Sequence, residues 1–524
     1  MTDQNVERSW SLREVVSKPR RLDLIWFLLP TALALAGFGL IPLRTWDYWW
    51  HLTMGRLINF WGAVPAANHF LYTIDADAAS YDQAWLAQLL LYGVHYQGGV
   101  YLALILRNVA AAVGVAWLSW TAMRRSDSIV IGSLTTLAAL PFLFTFIEVR
   151  PHLAAWPLFC ALLWVGYGVY QGRRSSRWLI AFPVTTIVWA NLHGSFPLAA
   201  VLAIVFAAGV AIRQYRQTGA INWRSAAPWI ASAASTAVAP MANPRTWEIY
   251  GYVYHHMTDE VVQNTITEWL PTTLSNPPGI GIYFWAVATV AVFLMVRRSD
   301  RLDPVDGMLF ILFAGLAVVQ ARALLWFGFI LPITASPSVR RIGESDSERV
   351  EPHPMKQRLH SLGAFALVAV AIAVQPTWQW RVDWAAESPK FDVRERAPMK
   401  GVIPAETPFE AAEVLARYTN PPRIFHDHRF AGFLLYYLSR QNPQQMVFVD
   451  QRVELPPERI WEQYYDVIEK PDVWRGIFNQ YDVDVAILSE ERQKKLVGRL
   501  ESSDDWSLLM KSDGWIFYAR NRMD

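Results

Sequence analysis

The segment RTWDYWWHLTMG, residues 44–55, sets Asp47 four residues before His51. An acid and an imidazole at i and i+4 share one helical face. A carboxylate beside the poorly hydrated surface of Trp46, Trp49 and Trp50 has its charged form disfavoured, which suits it to act as a general base. The plainer reading of the tryptophans is an aromatic belt at a membrane interface, with Asp47 capping the helix that follows. That reading accounts for the rings but leaves the pairing of Asp47 with His51 unexplained.

Other short segments carry groups that a lipid boundary does not require. EVRPH holds Glu148, Arg150 and His152, and WANLHGSF holds Asn191 and His193. A longer stretch holds His255, His256, Asp259 and Glu260 and then Glu268 and Trp269, and Arg322 follows further on. A guanidinium binds phosphate bidentately, so Arg150 and Arg322 would suit a phosphorylated ligand. Ionisable residues at helix ends inside a bundle are site candidates; capping and interface anchoring are the structural alternative. No spacing supports a divalent metal, because adjacent His255 and His256 cannot ligate from one helix face and no H-E-x-x-H occurs. A Walker A loop and a strand-associated G-x-G-x-x-G are likewise missing, so no nucleotide cofactor is expected. Cys160 is the single cysteine, which leaves neither a disulfide framework nor a thiolate metal site.

The elements that must position these residues are apolar helices. Hydrophobic residues make up 53% of the 524 and charged ones only 18%, below the roughly 25% of soluble domains. A net charge of +2 gives no reason to expect nucleic acid as a partner. Runs of about 20 mostly apolar residues mark candidate membrane helices. They lie near 22–43, 100–122, 128–148, 152–171, 177–193, 195–213, 225–242, 278–296, 304–319, 322–337 and 361–375, which predicts about 11 spans. The first is too long for a signal-peptide core and lacks a small-residue cleavage site. With simple alternation, Arg20 and Arg21, Arg124 and Arg125, Arg173, Arg174 and Arg177, Arg213, Arg216 and Arg224, Arg297, Arg298 and Arg301, and Arg340, Arg341 and Lys356 all fall on one side. The positive-inside rule makes that side the cytoplasm. The expected arrangement is therefore a multi-pass protein of the inner (plasma) membrane with a cytoplasmic N-terminus. The candidate groups then lie outside, on a long first loop (44–99), short turns around Arg150 and Asn191, and a second large loop (243–278).

The chain divides into a polytopic part, 1–375, and an extracytoplasmic tail, 376–524. From Arg423 the tail alternates short β runs with amphipathic helical stretches and ends in a hairpin turning at Asp513-Gly514, which predicts a small α/β layer. Asp427, Arg429, Asp450 and Arg452 are expected to form ion pairs within it, the alternative being a part in docking an acceptor. The segment Glu344 to Gln357 reads as a charged cytoplasmic connection.

An acid directly after the first span, a long first outer loop with a partly amphipathic segment, Trp-rich spans and an outer C-terminal domain resemble the GT-C superfamily of integral membrane glycosyltransferases. More closely, the chain is similar to a group of bacterial multi-pass proteins. The resemblance rests on Asp-x-Trp-Trp-His with a following Gly (Asp47, Trp49, Trp50, His51, Gly55), Trp85-Leu86, Arg150-Pro151 and Asn191 to Phe196. Glu268-Trp269 and Asp450-x-Arg452 complete it. It covers nearly the whole chain in short motifs. It implies a polyprenyl-phosphate-linked sugar as donor, Asp47 as the base that deprotonates or positions the acceptor, and Arg322 at the lipid phosphate. One departure is Asn68, which stands where a second acid of the first loop is expected; Asp75 and Asp77 are the nearest substitutes.

Together these readings predict an α-helical GT-C-like bundle that transfers a sugar to a glycan, lipid or protein acceptor on the outer face, with inversion. Asp47, His51 and Glu268 form its catalytic set. Arg150, His152, His193, Arg322, Trp49, Trp50 and Trp269 bind substrate, the tryptophans by stacking on sugar C–H faces. The alternative is a non-catalytic structural or accessory subunit of a membrane complex; paired halves and mid-bilayer charges, expected of a transporter, are scarce.

Overall fold

The structure, a computed structural model, describes residues 23–259, 262–263, 266–297, 302–339, 354–375, 402–440, 444–512 and 514–521. Arg20, Arg21, Glu260, Arg298, Arg301, Arg340, Arg341, residues 344–353 and the first part of the tail, 376–401, lie outside the described residues, as does the side chain of Lys356.

Among the described residues, thirteen α-helices precede the tail. They are α1 (Asp23–Gly39), α2 (Asp47–Trp61), α3 (Trp85–Ser126), α4 (Ile129–Thr145), α5 (Ala155–Tyr170), α6 (Ala181–Leu192) and α7 (Pro197–Thr218). Then come α8 (Trp223–Val238), α9 (Glu248–Thr258), α10 (Ile280–Val296), α11 (Pro304–Val319), α12 (Leu324–Val339) and α13 (Pro354–Ala373). Each of the eleven apolar runs falls on one of these helices, yet the described residues do not establish eleven crossings. Four segments are long and apolar enough to span a membrane: Trp85–Ser126, Pro151–Tyr170, Pro197–Thr218 and Ala321–Val339. Five more are apolar but shorter: Asp23–Gly39, Ile129–Thr145, Ile280–Val296, Pro304–Val319 and Leu359–Ala373. The reason is local: prolines and polar turns trim several runs below the 20 residues that about 30 Å of hydrocarbon demands.

The longest helix is bent. Within α3, Gly98 and Gly99 leave helical geometry, Gly99 at φ 58° and ψ −155°, a region only glycine enters freely. The arm before the break lies against α2, and the part after it runs into the bundle. Gly55 permits that close approach, because a Cβ there would sit 2.1 Å from the Gln88 carbonyl oxygen.

The tail carries a four-stranded sheet in the order β1-β2-β4-β3, with β1 (Ile424–His426) parallel to β2 (Val485–Ser489). The strands β3 (Trp506–Ser512) and β4 (Trp515–Arg520) form the expected hairpin around Gly514, and β4 pairs antiparallel with β2. The MVFVD segment, residues 446–450, contributes a bridge at Val447, which meets Ile424 on one side and Leu71 of the 44–99 loop on the other. Alternate residues of β2 and β4 face two cores. Ala486, Leu488, Ile516 and Tyr518 pack on the tail's own helices Glu458–Glu469, Trp474–Gln480 and Lys494–Glu501. Val485, Ile487, Trp515 and Phe517 share a core with α14 (Phe409–Leu415), α15 (Ala431–Leu438) and Tyr48, Trp49 and Leu52 of α2.

The tail and the 44–99 loop are therefore packed as one body. Arg452 donates to Ser80 Oγ at 2.7 Å, Tyr72 to the Ile424 carbonyl at 3.0 Å and Thr73 to the Phe448 carbonyl at 2.8 Å. Gly55→Ala is expected to force α2 off the arm of α3 and destabilise the protein by about 1–3 kcal/mol, the usual cost of overpacking; the melting temperature of the purified protein in detergent is the measurement.

Candidate functional site

The group at the centre is Arg150. As the residue before Pro151 it is held extended, at φ −131° and ψ 159°. Its guanidinium reaches three carboxylates from three segments: Asp47 Oδ2 at 2.8 Å, Glu148 Oε2 at 2.9 Å and Glu268 Oε1 at 3.3 Å. It also donates to Thr45 Oγ1 at 2.9 Å, the same oxygen that accepts from the Asp47 backbone N–H at 3.3 Å. All four charged side chains retain partial exposure, from 23% to 31%. The cluster is open to a ligand rather than sealed in the core.

Around it stand the remaining candidates. Segment 267–272 is pinned to the turn before α12, where Ala321 N–H donates to the Leu270 carbonyl at 2.9 Å and Thr272 N–H to the Val318 carbonyl at 3.1 Å. That clamp sets the Arg322 guanidinium 5.6 Å from the Trp269 ring centroid. His256 also meets Trp269, ring centroids 5.6 Å apart. His152, whose Nε2 donates to the Phe146 carbonyl at 2.9 Å, faces His193 at 6.0 Å. His51 shares the Asp47 face of α2, and Gln88 Nε2 lies 3.4 Å from its Nδ1 while donating to both oxygens of buried Asp82.

The electrostatics divide the acids. Burial pushes the Glu148 carboxyl above the usual carboxylate range, further than Arg150 pulls it down. Burial acts on Glu268 in the same direction, but Arg150 and Arg322 hold it below its ordinary value. The His51 imidazole is lowered to about 4, by burial first and against the pull of Asp47, so it is neutral at physiological pH. Burial and the charge of Arg322 also lower His193 and His256, the latter to about 4. The result is a face of carboxylates and neutral imidazoles with two guanidinium groups, a mixture that can accept a proton and bind an anion side by side. Among the described residues no three His, Cys, Asp or Glu side chains are placed to hold a metal ion. The converging acids take a guanidinium between them.

Asp47, His51, Glu268, Arg150, His152, His193, Arg322 and Trp269 thus gather at one end of the bundle. Trp49 and Trp50 do not join them as a sugar-stacking rim. They are 1% and 4% exposed and serve packing: Trp49 lies against Phe433 and Tyr436 of α15, and Trp50 lies against Phe70 and beneath the Arg452 guanidinium. These neighbours enclose both rings, which is why neither offers a free face. Asn68 is a loop organiser; its Oδ1 accepts from the N–H groups of Phe70 and Leu71, and its Nδ2 donates to the Leu71 carbonyl. Asp75 and Asp77 are exposed at that loop.

The second acid beside Asp47 is Glu148, which the sequence places on the right face without a role; its one signal was its position two residues from Arg150. His256 joins in the same way. Asn191 is structural, its Oδ1 accepting from Trp85 Nε1 at 2.7 Å and from Asn243 Nδ2 at 3.1 Å. In the tail, Asp427 pairs with Arg429 at 3.0 Å and Asp450 with Arg452 at 2.5 Å, as expected. The first pair also borders the cluster, since Arg429 lies over the Trp46 ring and Phe430 contacts it.

No protein-family model matches the sequence, and no curated protein matches it. Among solved structures the chain is similar to the arabinofuranosyltransferase AftD from Mycobacteria, with TM-score 0.56, 14% identity, and coverage of 95% of this chain and 42% of that one. The chain thus spans less than half the length of that enzyme. The archaeal oligosaccharyltransferase AglB from Archaeoglobus fulgidus, determined with an inhibitory peptide and a dolichol-phosphate, also matches at TM-score 0.49 and 10% identity, over 95% of this chain and 74% of that one. The likeness to AftD is one of fold.

Arg150→Gln is expected to remove the charge that draws the Glu148 and Glu268 carboxyls down, raising both. An acid raised above its unfolded value of about 4.3 stabilises the fold below that pH and loses the contribution as pH rises through the folded pKa. The melting temperature of the variant should therefore fall more steeply than that of the wild type between pH 4.5 and 8; parallel curves would show that Arg150 does not compensate the cluster.

Proposed function

We propose that the protein is a membrane glycosyltransferase that moves a sugar from a polyprenyl-phosphate donor to an acceptor on the extracytoplasmic face. The observation that carries this reading is the convergence of Asp47, Glu148 and Glu268 on Arg150, beside Arg322, at the end of the bundle remote from Arg124, Arg125, Arg173 and Arg174. The arginine-rich end faces the cytoplasm under the positive-inside rule. The cluster and the tail then lie across the bilayer, in a compartment without a nucleotide-sugar supply, where a lipid carrier is the natural donor.

In the reaction, the acceptor oxygen forms its bond to the anomeric carbon as the bond from that carbon to the phosphate oxygen breaks. Asp47 takes the acceptor proton. Arg150 is shared by three carboxylates, so Glu148 and Glu268 continue to hold it while Asp47 turns to the hydroxyl. Polyprenyl phosphate leaves with an added negative charge, which Arg322 neutralises; charge that develops in the transition state is where a fixed cation contributes most. His51, neutral, orients a sugar hydroxyl as donor or acceptor. The 426–430 loop of the tail, bordering Trp46, is placed to meet the acceptor.

Asp47→Asn keeps the shape and the Thr45 contact of the backbone but removes the base. Sugar release from a radiolabelled polyprenyl-phosphate-sugar pool in membranes should fall by about 10²–10⁴-fold at equal expression, the usual contribution of a positioned base. Undiminished turnover in the variant would remove Asp47 from the chemistry. Absence of turnover in both proteins, across the common lipid-linked sugars, would favour an accessory subunit. Arg322→Gln should raise the donor concentration needed for half-maximal rate while leaving the melting temperature near that of the wild type.

A further inference from the structure

At the opposite end of the bundle a cavity of about 290 Å³ opens between α3 and α5. Its wall carries Arg124, Arg125, Arg173 and Arg174 with Trp120 and Trp164, and no Asp or Glu lines it.

Arg125 is the most informative. Its side chain is 4% exposed, ion-paired through Nη2 with Asp306, and its Nε donates to the Ile333 carbonyl at 2.9 Å. The guanidinium lies 3.8 Å from the Tyr167 ring centroid, and Tyr167 donates to the second oxygen of Asp306 at 2.6 Å. Both oxygens of Asp306 are thereby occupied, and Arg125 Nη1 is buried without a hydrogen-bond partner. Arg174 repeats the pattern: its guanidinium stacks 3.1 Å from the Trp164 ring centroid and 4.8 Å from that of Trp178, and its Nη1 is likewise buried and unpartnered. Leaving one buried donor unmatched costs about 1–3 kcal/mol, more for a charged group. Two such donors held by ring stacking on the walls of one cavity are preorganised for a tetrahedral oxyanion, which guanidinium groups bind through paired N–H bonds.

The surroundings say what carries that oxyanion. Beside the cavity, Trp178 and Ile180 are exposed, 48% and 66%, on a surface of apolar helices. A band of Trp and Arg at the ends of spanning helices is the composition of a membrane interface. A soluble phosphate would leave this apolar rim wet, whereas a phospholipid would cover it with its acyl chains. We propose that the cavity binds the phosphate of an anionic phospholipid headgroup from the leaflet at the arginine-rich end. This site is separate from the acid cluster around Arg150 and does not depend on the sugar-transfer reading.

The test is native mass spectrometry of the full-length protein in a zwitterionic detergent, titrated with equimolar short-chain phosphatidylglycerol and phosphatidylcholine, with inorganic phosphate in a separate arm. Wild-type protein is expected to retain phosphatidylglycerol over phosphatidylcholine by about tenfold, and Arg174→Gln to lose most of that preference, as removal of one charge-assisted hydrogen bond requires. Arg174→Gln spares the Arg125–Asp306 pair. Should it fail to fold, Arg125→Lys, which keeps the charge opposite Asp306 but lacks the second fork N–H, is expected to lose the preference in its place. Equal retention of the two lipids overturns the proposal, as does a preference unchanged in the folded variants. Binding of inorganic phosphate with no preference for phosphatidylglycerol overturns the lipid assignment.

Discussion

One guanidinium answering three carboxylates is the constraint on which this end of the helix bundle depends. Asp47 begins α2, Glu148 and Arg150 lie in the turn before α5, and Glu268 sits on the 243–278 loop. Without the cation their mutual repulsion would push the three segments apart. With it, each arm of the cluster also fixes a backbone, because Thr45 holds both Arg150 and the start of α2, and segment 267–272 is tied to the turn that presents Arg322. Partial exposure keeps the ion pairs well short of a sealed salt bridge, so their geometry can yield to a ligand that offers equivalent contacts.

The second determinant is apolar. Helix α2 is amphipathic between two protein bodies rather than between protein and water: its polar edge carries Asp47 and His51, and its aromatic edge enters the core of the tail. Fully burying a large apolar side chain contributes about 1.5–3 kcal/mol. Tyr48, Trp49 and Leu52 together are enough to hold the tail on the loop. Gly432 makes room for the contact, since a Cβ there would meet the Trp50 backbone nitrogen at 2.7 Å. The position of Asp47 is therefore set as much by the tail as by the bundle.

Much of this was legible in the residues. The apolar runs fall on helices, the tail hairpin turns where Gly514 predicts, and polar groups from five separate turns meet on one face. Those signals are local, carried by hydropathy, turn chemistry and charge. What escaped was everything that depends on which way an exposed-looking aromatic faces. Trp49 and Trp50 read as a ligand platform because their partners, Phe433, Tyr436 and Arg452, lie about 400 residues away. Asn68 read as a departure from an acidic pattern, when its amide is spent on closing its own turn. Glu148 had the right neighbour, Arg150, but its burial and its closeness to Asp47 and Glu268 are properties of the folded bundle alone.

The break at Gly98 and Gly99 has a consequence for how such a molecule can vary. A straight helix of 42 residues would be about 63 Å long, roughly twice the hydrocarbon thickness of a bilayer. Bending it lets one uninterrupted run of sequence act first as a beam lying beneath α2 and then as a post through the bundle. Any side chain that straightened the joint would turn beam and post into a single mast and lift the floor on which Asp47 and His51 rest. Two adjacent residues without side chains thus decide whether the 44–99 loop has a foundation.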